Sequence, residues 1–251
     1  VPLHLFIWQK FYSQELNYQI HPSHLWFLAN IFIYVVVLSP LFFFLKRREQ
    51  GRIKHLLTAS YRSPLGLLFT TLVFVVEAVL VNPETFETYA MTLHGFFLGL
   101  LAFFFGFIFI YTGEAFWHSV KRWKWLLLGL ALSLFLIRYF VFQLQAPNYY
   151  KATESCMWIF GAFGIAYAYL NRPNKTLAYL SQAAYPVYIL HMLFLYGASY
   201  LVTGLALPPF LKLLLLILLT FTGCFGTYEL IIKRSAILKP LFGLKHSRQK
   251  I

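Results

Sequence analysis

The sequence predicts an all-α protein, a polytopic bundle of membrane-spanning helices. Of its 251 residues, 60% are hydrophobic and 20% aromatic, while only 12% are charged. A soluble domain carries about twice that charged fraction, because it must cover its own surface with polar groups. Long apolar runs alternate with short loops that hold most of the basic residues. This composition indicates that hydrocarbon, rather than water, surrounds most of the chain.

Seven segments are apolar over the length that a membrane span requires, which is about 20 residues. Each must be helical, because the backbone finds no water in lipid to satisfy its hydrogen-bonding groups. No soluble insertion separates them, so we interpret residues 1–251 as a single membrane domain. In chain order the predicted spans are His24–Leu45, Leu65–Val81, Tyr89–Tyr111, Lys124–Gln143, Ala152–Leu170, Leu177–Val202 and Pro208–Ile232.

The loops that follow these spans alternate between basic and non-basic, and this sets the orientation. Of the 21 Lys and Arg residues, 17 fall on one side, against Lys10 and Lys151 on the other; Arg138 and Lys212 lie within spans. We therefore predict that the basic loops and the C-terminus are cytoplasmic. Anionic lipid headgroups explain most of the basic charges of the C-terminal tail. Nucleic acid is not an expected partner despite the net charge of +13, because the basic residues lie in short loops between long apolar runs.

Ionisable side chains inside a span are costly and are therefore candidates for function. With the predicted orientation, most of them lie in the outer half of the membrane. A chamber lined by two acids, an arginine and up to three imidazoles would suit acid–base chemistry on a polar substrate. These residues are Glu77, His94, Arg138, Glu154, His191 and Glu229, with His24 at a membrane edge.

Several of these residues have a structural explanation as well as a functional one. Arg138 and Glu154 would form a buried ion pair that joins two helices. His94 would make a hydrogen bond between helices, and Glu229 would pair with Lys233 at the ordinary i,i+4 spacing.

The other two histidines have similar alternatives. His24 beside Trp26 would anchor the membrane edge, and His191 near Tyr188 would belong to the packed core. Pro186 in the middle of a span is expected to bend or loosen its helix. Three glycines in the third span predict close helix packing: Gly95, Gly99 and Gly106.

Three stretches of the chain carry a family resemblance. In order they are His24-Leu25-Trp26-Phe27-Leu28, Tyr185-Pro186-Val187-Tyr188-Ile189-Leu190-His191 and Leu238-Lys239-Pro240-Leu241-Phe242-Gly243-Leu244-Lys245. Together the sequence resembles acyltransferase family 3, a family of bacterial membrane proteins, in the branch that includes glucan succinyltransferases. The resemblance extends over essentially the whole chain.

This resemblance implies an enzyme of the bacterial inner membrane that moves an acyl group from acyl-CoA to an extracytoplasmic glycan hydroxyl. The lipid bilayer, acyl-CoA and the glycan are the expected partners, and no metal is expected. Family members have about ten spans with both termini in the cytoplasm. The Arg and His of their first helix and their Arg-rich motif are not found in this sequence. We therefore expect an N-terminally truncated member, with the family's main histidine upstream of Val1 and a fragment inactive by itself.

The resemblance and the buried charges together give two sets of candidate site residues. The candidate catalytic residues are His24, His191 and Glu154. The candidate substrate-binding residues are Trp26, Glu77, His94, Arg138 and Tyr188.

Two other functions fit the same sequence. A secondary transporter would use the buried charges as a proton or substrate pathway, and it predicts internal repeats with matching broken helices. One span is interrupted by proline and no partner repeat is visible, which counts modestly against a transporter. A non-catalytic membrane scaffold is the third possibility.

Overall fold

A computed structural model describes residues 26–48 and 51–244, and every regular element in those ranges is helical. The predicted all-α fold class is confirmed. His24, Lys10 and the tail from Lys245 onward lie outside the described residues. The helices are α1 (Trp26–Arg47), α2 (Arg52–Arg62), α3 (Leu65–Val81), α4 (Leu93–Tyr111), α5 (Glu114–Phe140), α6 (Asn148–Ile165), α7 (Lys175–Thr203), α8 (Pro209–Thr227) and α9 (Leu238–Leu241), with π-helical turns at Ala166–Leu170 and Tyr228–Ile232.

The described helices can supply five membrane spans by length and composition, or six if α2 and α3 form one broken span. The count of seven therefore stays a prediction. Helix bounds lie within a few residues of the predicted ones, except that α5 begins at Glu114 rather than at Lys124. Its first turns carry Lys121 and Arg122 on an exposed surface. Hydropathy identifies only the apolar part of a helix. It therefore does not detect polar turns by which the same helix extends beyond the hydrocarbon.

The short helix α2 was not predicted from hydropathy. It meets α3 at an angle of 97°, and Arg52 and Arg62 at its two ends are exposed. On its other face Tyr61 is buried, and its hydroxyl lies 2.7 Å from the hydroxyl of Thr70 on α3. A basic amphipathic helix of this kind is typical of the membrane surface.

Contacts divide the chain into two compact units, and each is described by itself. The larger unit comprises residues 26–172, and the smaller unit is described over residues 173–244. Packing within the larger unit brings together α5 with α6, α3 with α6, and α1 with α4. The organisation as one membrane domain stays a prediction.

Interhelical hydrogen bonds from tyrosine hydroxyls, and close packing at small residues, stabilise the larger unit. Tyr34 on α1 donates to the carbonyl of Phe96 on α4 at 2.8 Å, and Tyr111 on α4 donates to the carbonyl of Leu45 at 2.8 Å. A Cβ placed on Gly99 would approach the Tyr34 hydroxyl to 2.5 Å, so the predicted close packing exists there. At Gly106 no atom of another described element lies within 4 Å of such a Cβ, and the prediction of close packing is wrong at that position.

In the smaller unit, α7 packs on α8 and its π-helical turn. Helix α7 continues through the buried Pro186 from Lys175 to Thr203, so the proline does not end it. The buried side chains of Ala183, Tyr228 and Ile232 form the core of this unit.

Candidate functional site

A buried carboxylate–imidazole pair joins α3 to α4. Glu77 lies one turn before the end of α3, and His94 is the second residue of α4. The Nδ1 atom of His94 lies 2.9 Å from Oε1 of Glu77, and the two residues are 1% and 6% exposed. Thr92 caps α4 by accepting a hydrogen bond from the Gly95 amide at 3.0 Å. This cap sets the start of the helix and therefore the position of His94 in its first turn. The predicted hydrogen bond between helices is confirmed.

The second polar atom of each partner has no hydrogen-bond partner among the described residues. These atoms are Nε2 of His94 and Oε2 of Glu77, and both are buried. Native proteins leave few buried polar atoms in this condition, and such atoms often have a chemical role. A neutral imidazole that donates Nδ1–H to Glu77 keeps an unprotonated Nε2 with a free lone pair. This arrangement can accept a proton.

Two aromatic side chains from the loop between α3 and α4 cover this imidazole. The ring centroid of Phe86 lies 4.9 Å from that of His94, and the ring of Tyr89 lies at 5.6 Å. Phe86 also packs with Ala78 and Ala152 in a small buried cluster. The loop between α3 and α4 therefore packs directly against the imidazole.

Gly95 lets the loop approach α4. A Cβ at this position would collide with the carbonyl oxygen of Tyr89. We expect Gly95→Ala to lower the free energy of unfolding by about 1–3 kcal/mol, the usual cost of overpacking. Gly106→Ala on the same helix is the matched control: its methyl group meets no other described element within 4 Å, and the change should be neutral or stabilising, because alanine favours helix. Thermal unfolding in detergent measures both, and equal midpoints would contradict the tight approach at Gly95.

A second buried pair joins α5 to α6. Arg138 donates from Nε to Oε2 of Glu154 at 2.6 Å and from Nη2 to Oε1 at 3.0 Å. The two side chains are 20% and 5% exposed. The predicted ion pair is confirmed, and its two parallel hydrogen bonds hold both side chains in one orientation. Nη1 of Arg138 makes no hydrogen bond within the described ranges and remains able to donate.

Two polar contacts that were not predicted bind the loop 82–92 to the start of α6. Nζ of Lys151 lies 3.0 Å from Oε1 of Glu87, and Nδ2 of Asn148 donates to the carbonyl of Pro83 at 2.9 Å. Partial burial tends to raise the pKa of Glu87, but the hydrogen bond and charge of Lys151 outweigh it, and the pKa is lowered from its ordinary value. Lys151 was the one basic residue in its loop, facing a loop with two glutamates, and that signal could have predicted the pairing.

An open cleft of about 640 Å³ lies beside these contacts. Its wall is formed by the end of α3, the loop that follows it and the beginning of α6. The polar lining consists of Asn82, Glu84, Asn148 and Tyr149. Amides, a carboxylate and an aromatic hydroxyl can make hydrogen bonds with a hydroxyl-rich ligand.

The remaining predicted site residues lie elsewhere or outside the described ranges. His191 and Tyr188 share one part of α7 in the smaller unit, with ring centroids 5.6 Å apart. Nδ1 of His191 lies 2.5 Å from the Tyr188 carbonyl oxygen. Trp26 begins α1, is half-buried and has its ring 6.0 Å from that of Phe27. His24 belongs to the N-terminal residues outside the described ranges.

Within the described ranges no group of three or more potential ligand side chains could hold a metal ion.

Comparison with known proteins identifies one family. The acyltransferase family 3 model, described as an acyltransferase domain, matches residues 1–229. No curated protein and no solved structure matches the chain. The match covers most of the sequence and agrees with an all-helical fold of apolar helices.

Proposed function

The chain belongs to acyltransferase family 3, and from that premise we propose that it forms part of a membrane enzyme that moves an acyl group from acyl-CoA to a glycan hydroxyl outside the cytoplasm. The observation that carries this proposal is the buried Glu77–His94 pair, whose Nε2 has no partner among the described residues.

Acyl transfer to a hydroxyl needs a group that accepts the hydroxyl proton. In the proposed reaction the acceptor O–H bond breaks and its proton moves to Nε2 of His94. The oxygen attacks the thioester carbon, the new ester C–O bond forms, and the C–S bond breaks with CoA thiolate as the leaving group. The imidazolium of His94 then gives its proton to the thiolate, so the products are the ester and CoA thiol and His94 is neutral again.

The surroundings of His94 favour this proton transfer. Glu77 holds the imidazole through Nδ1 and stabilises the imidazolium that forms, as a carboxylate does beside a catalytic histidine.

The nearby cleft supports an acceptor of the carbohydrate class. Asn82 and Glu84 come from the same loop that covers His94 with Phe86 and Tyr89. A sugar bound in the cleft would contact this loop directly, close to the two rings that pack on His94. The predicted orientation puts the cleft on the extracytoplasmic side.

Transfer of labelled acyl groups tests the proposal. The complete protein, with any helices that precede Val1, is reconstituted in vesicles with radiolabelled acyl-CoA inside and glycan outside. We expect label to appear on the glycan as an alkali-labile ester. No transfer with any acyl donor, together with measurable flux of a solute across the same vesicles, would overturn the proposal in favour of a transporter.

A further inference from the structure

A basic pocket lies in the smaller unit, at the end of the helices that is predicted to be cytoplasmic. It has a volume of about 780 Å³, within the range of small-molecule sites. Lys233 and Lys239 contribute its charge, and Ser181, Gln182 and Tyr185 line the α7 side.

Two of the stretches that carry the family resemblance meet at this pocket. Tyr185 comes from the stretch on α7, and Lys239 and Gly243 come from the stretch at the C-terminal end. Gly243 has a φ of +70°, a backbone conformation that glycine adopts without steric cost. A Cβ at Gly243 would lie 3.6 Å from the Tyr185 ring, so this turn packs closely against α7. The fold therefore builds the pocket from segments more than fifty residues apart in the sequence.

The two lysines differ in how far their charge is neutralised. Nζ of Lys233 lies 3.0 and 3.2 Å from the Glu229 carboxylate oxygens, which confirms the predicted i,i+4 pair. Lys239 is half-buried, and none of the ion pairs in the described part of the chain includes it. Burial of an unpaired ammonium group is unfavourable, so an anion in the pocket would stabilise it.

We propose that this pocket binds the phosphate groups of a ligand that enters from the cytoplasmic side. Two lysines with neighbouring hydroxyl and amide donors match the oxygens of a phosphate. Acyl-CoA and an anionic lipid headgroup share this chemistry. The assignment to acyl-CoA rests on the proposed function, which requires such a donor, and the pocket volume accommodates more than a headgroup phosphate.

Binding of CoA to three lysine variants tests this site without measuring turnover. The complete protein is placed in nanodiscs of neutral phosphatidylcholine and titrated with CoA by calorimetry. We expect Lys239→Gln to weaken CoA binding about tenfold or more, as loss of a hydrogen bond to a charged group does. Lys239→Arg should keep most of the affinity, because it keeps the positive charge, and thermal unfolding of Lys239→Gln verifies that this variant is folded. Lys175→Gln is the matched control, because Lys175 is exposed on the same predicted face and does not line the pocket.

A parallel measurement separates the two sources of phosphate. Nanodiscs that contain phosphatidylglycerol are used to measure anionic lipid retained by each purified variant, by mass spectrometry. Selective loss of lipid in Lys239→Gln, with CoA binding unchanged, would support a phosphate site but overturn its assignment to acyl-CoA. If Lys239→Gln and Lys175→Gln behave alike in both measurements, the site is refuted. If CoA binding depends on Lys239 but no acyl transfer is detected, the proposed function is refuted while the binding site is supported.

Discussion

Replacement of His94 by glutamine is expected to lower kcat for acyl transfer by about 10²–10⁴-fold, the usual contribution of a positioned proton acceptor. Glutamine preserves a hydrogen bond to Glu77 but has no basic nitrogen at the position of Nε2. The KM for acyl-CoA should change little, because His94 is proposed to act on the acceptor hydroxyl. Initial rates with the complete protein in vesicles measure both constants.

Two variants make this result specific. His118→Gln removes an exposed histidine from the same unit, whose side chain is 68% exposed, and should leave kcat unchanged. Glu77→Gln keeps the hydrogen-bonding shape but removes the charge that stabilises the imidazolium, so it should lower kcat while the protein remains folded. Full activity of His94→Gln, with folding verified by thermal unfolding, would exclude His94 as the base.

Replacement of Glu154 by alanine is expected to lower the free energy of unfolding of the larger unit by about 3–5 kcal/mol. The Glu154 side chain is 5% exposed and accepts two hydrogen bonds from Arg138. Its removal leaves a partly buried guanidinium without its hydrogen-bonded partner, which costs more than the pair itself contributes. Denaturant or thermal unfolding in detergent measures the change.

A double-mutant cycle shows whether the pair acts as a unit. Arg138→Met combined with Glu154→Leu replaces both charges by apolar groups and should cost less than the sum of the single changes. The matched control is the exposed pair Glu229 and Lys233, whose side chains are 40% and 47% exposed. Breaking that pair should cost at most about 1 kcal/mol. Additive effects of the Arg138 and Glu154 substitutions would show that the two side chains are not coupled.

The order and limits of the long helices could be predicted because hydropathy is a local property. α3 occupies the predicted range Leu65–Val81 without change, and α1, α4 and α7 differ from their predicted ranges by a few residues at most. α2 was missed because its apolar residues occupy only one face and its mean composition is polar. The family could also be predicted, since short stretches of sequence carried the resemblance that the match to residues 1–229 confirms. The glucan succinyltransferase branch and the truncation stay predictions.

The ionisable residues of the candidate site were each recognised from the sequence. Of the two buried pairs described above, the sequence predicted which residues pair in only one. Arg138 and Glu154 lie near the joined ends of successive helices, so the sequence suggested their pairing. The partner of His94 was not named, although Glu77 has a similar depth on the helix before it. Depth is set by distance along a helix, whereas the direction of a side chain depends on how the helix is rotated against its neighbours.

The sequence by itself determined that this is a helical membrane protein of the acyltransferase family and which charged residues its apolar helices contain. It did so because the hydropathy that places a segment in hydrocarbon is a property of that segment's own residues, and the charged residues within it can then be identified directly. Only the tertiary structure decided that Glu77 faces His94, that an aromatic loop covers the imidazole, and that Lys239 reaches a pocket on α7. These contacts depend on packing between helices, which brings together residues whose separation in sequence carries no information about their distance in space.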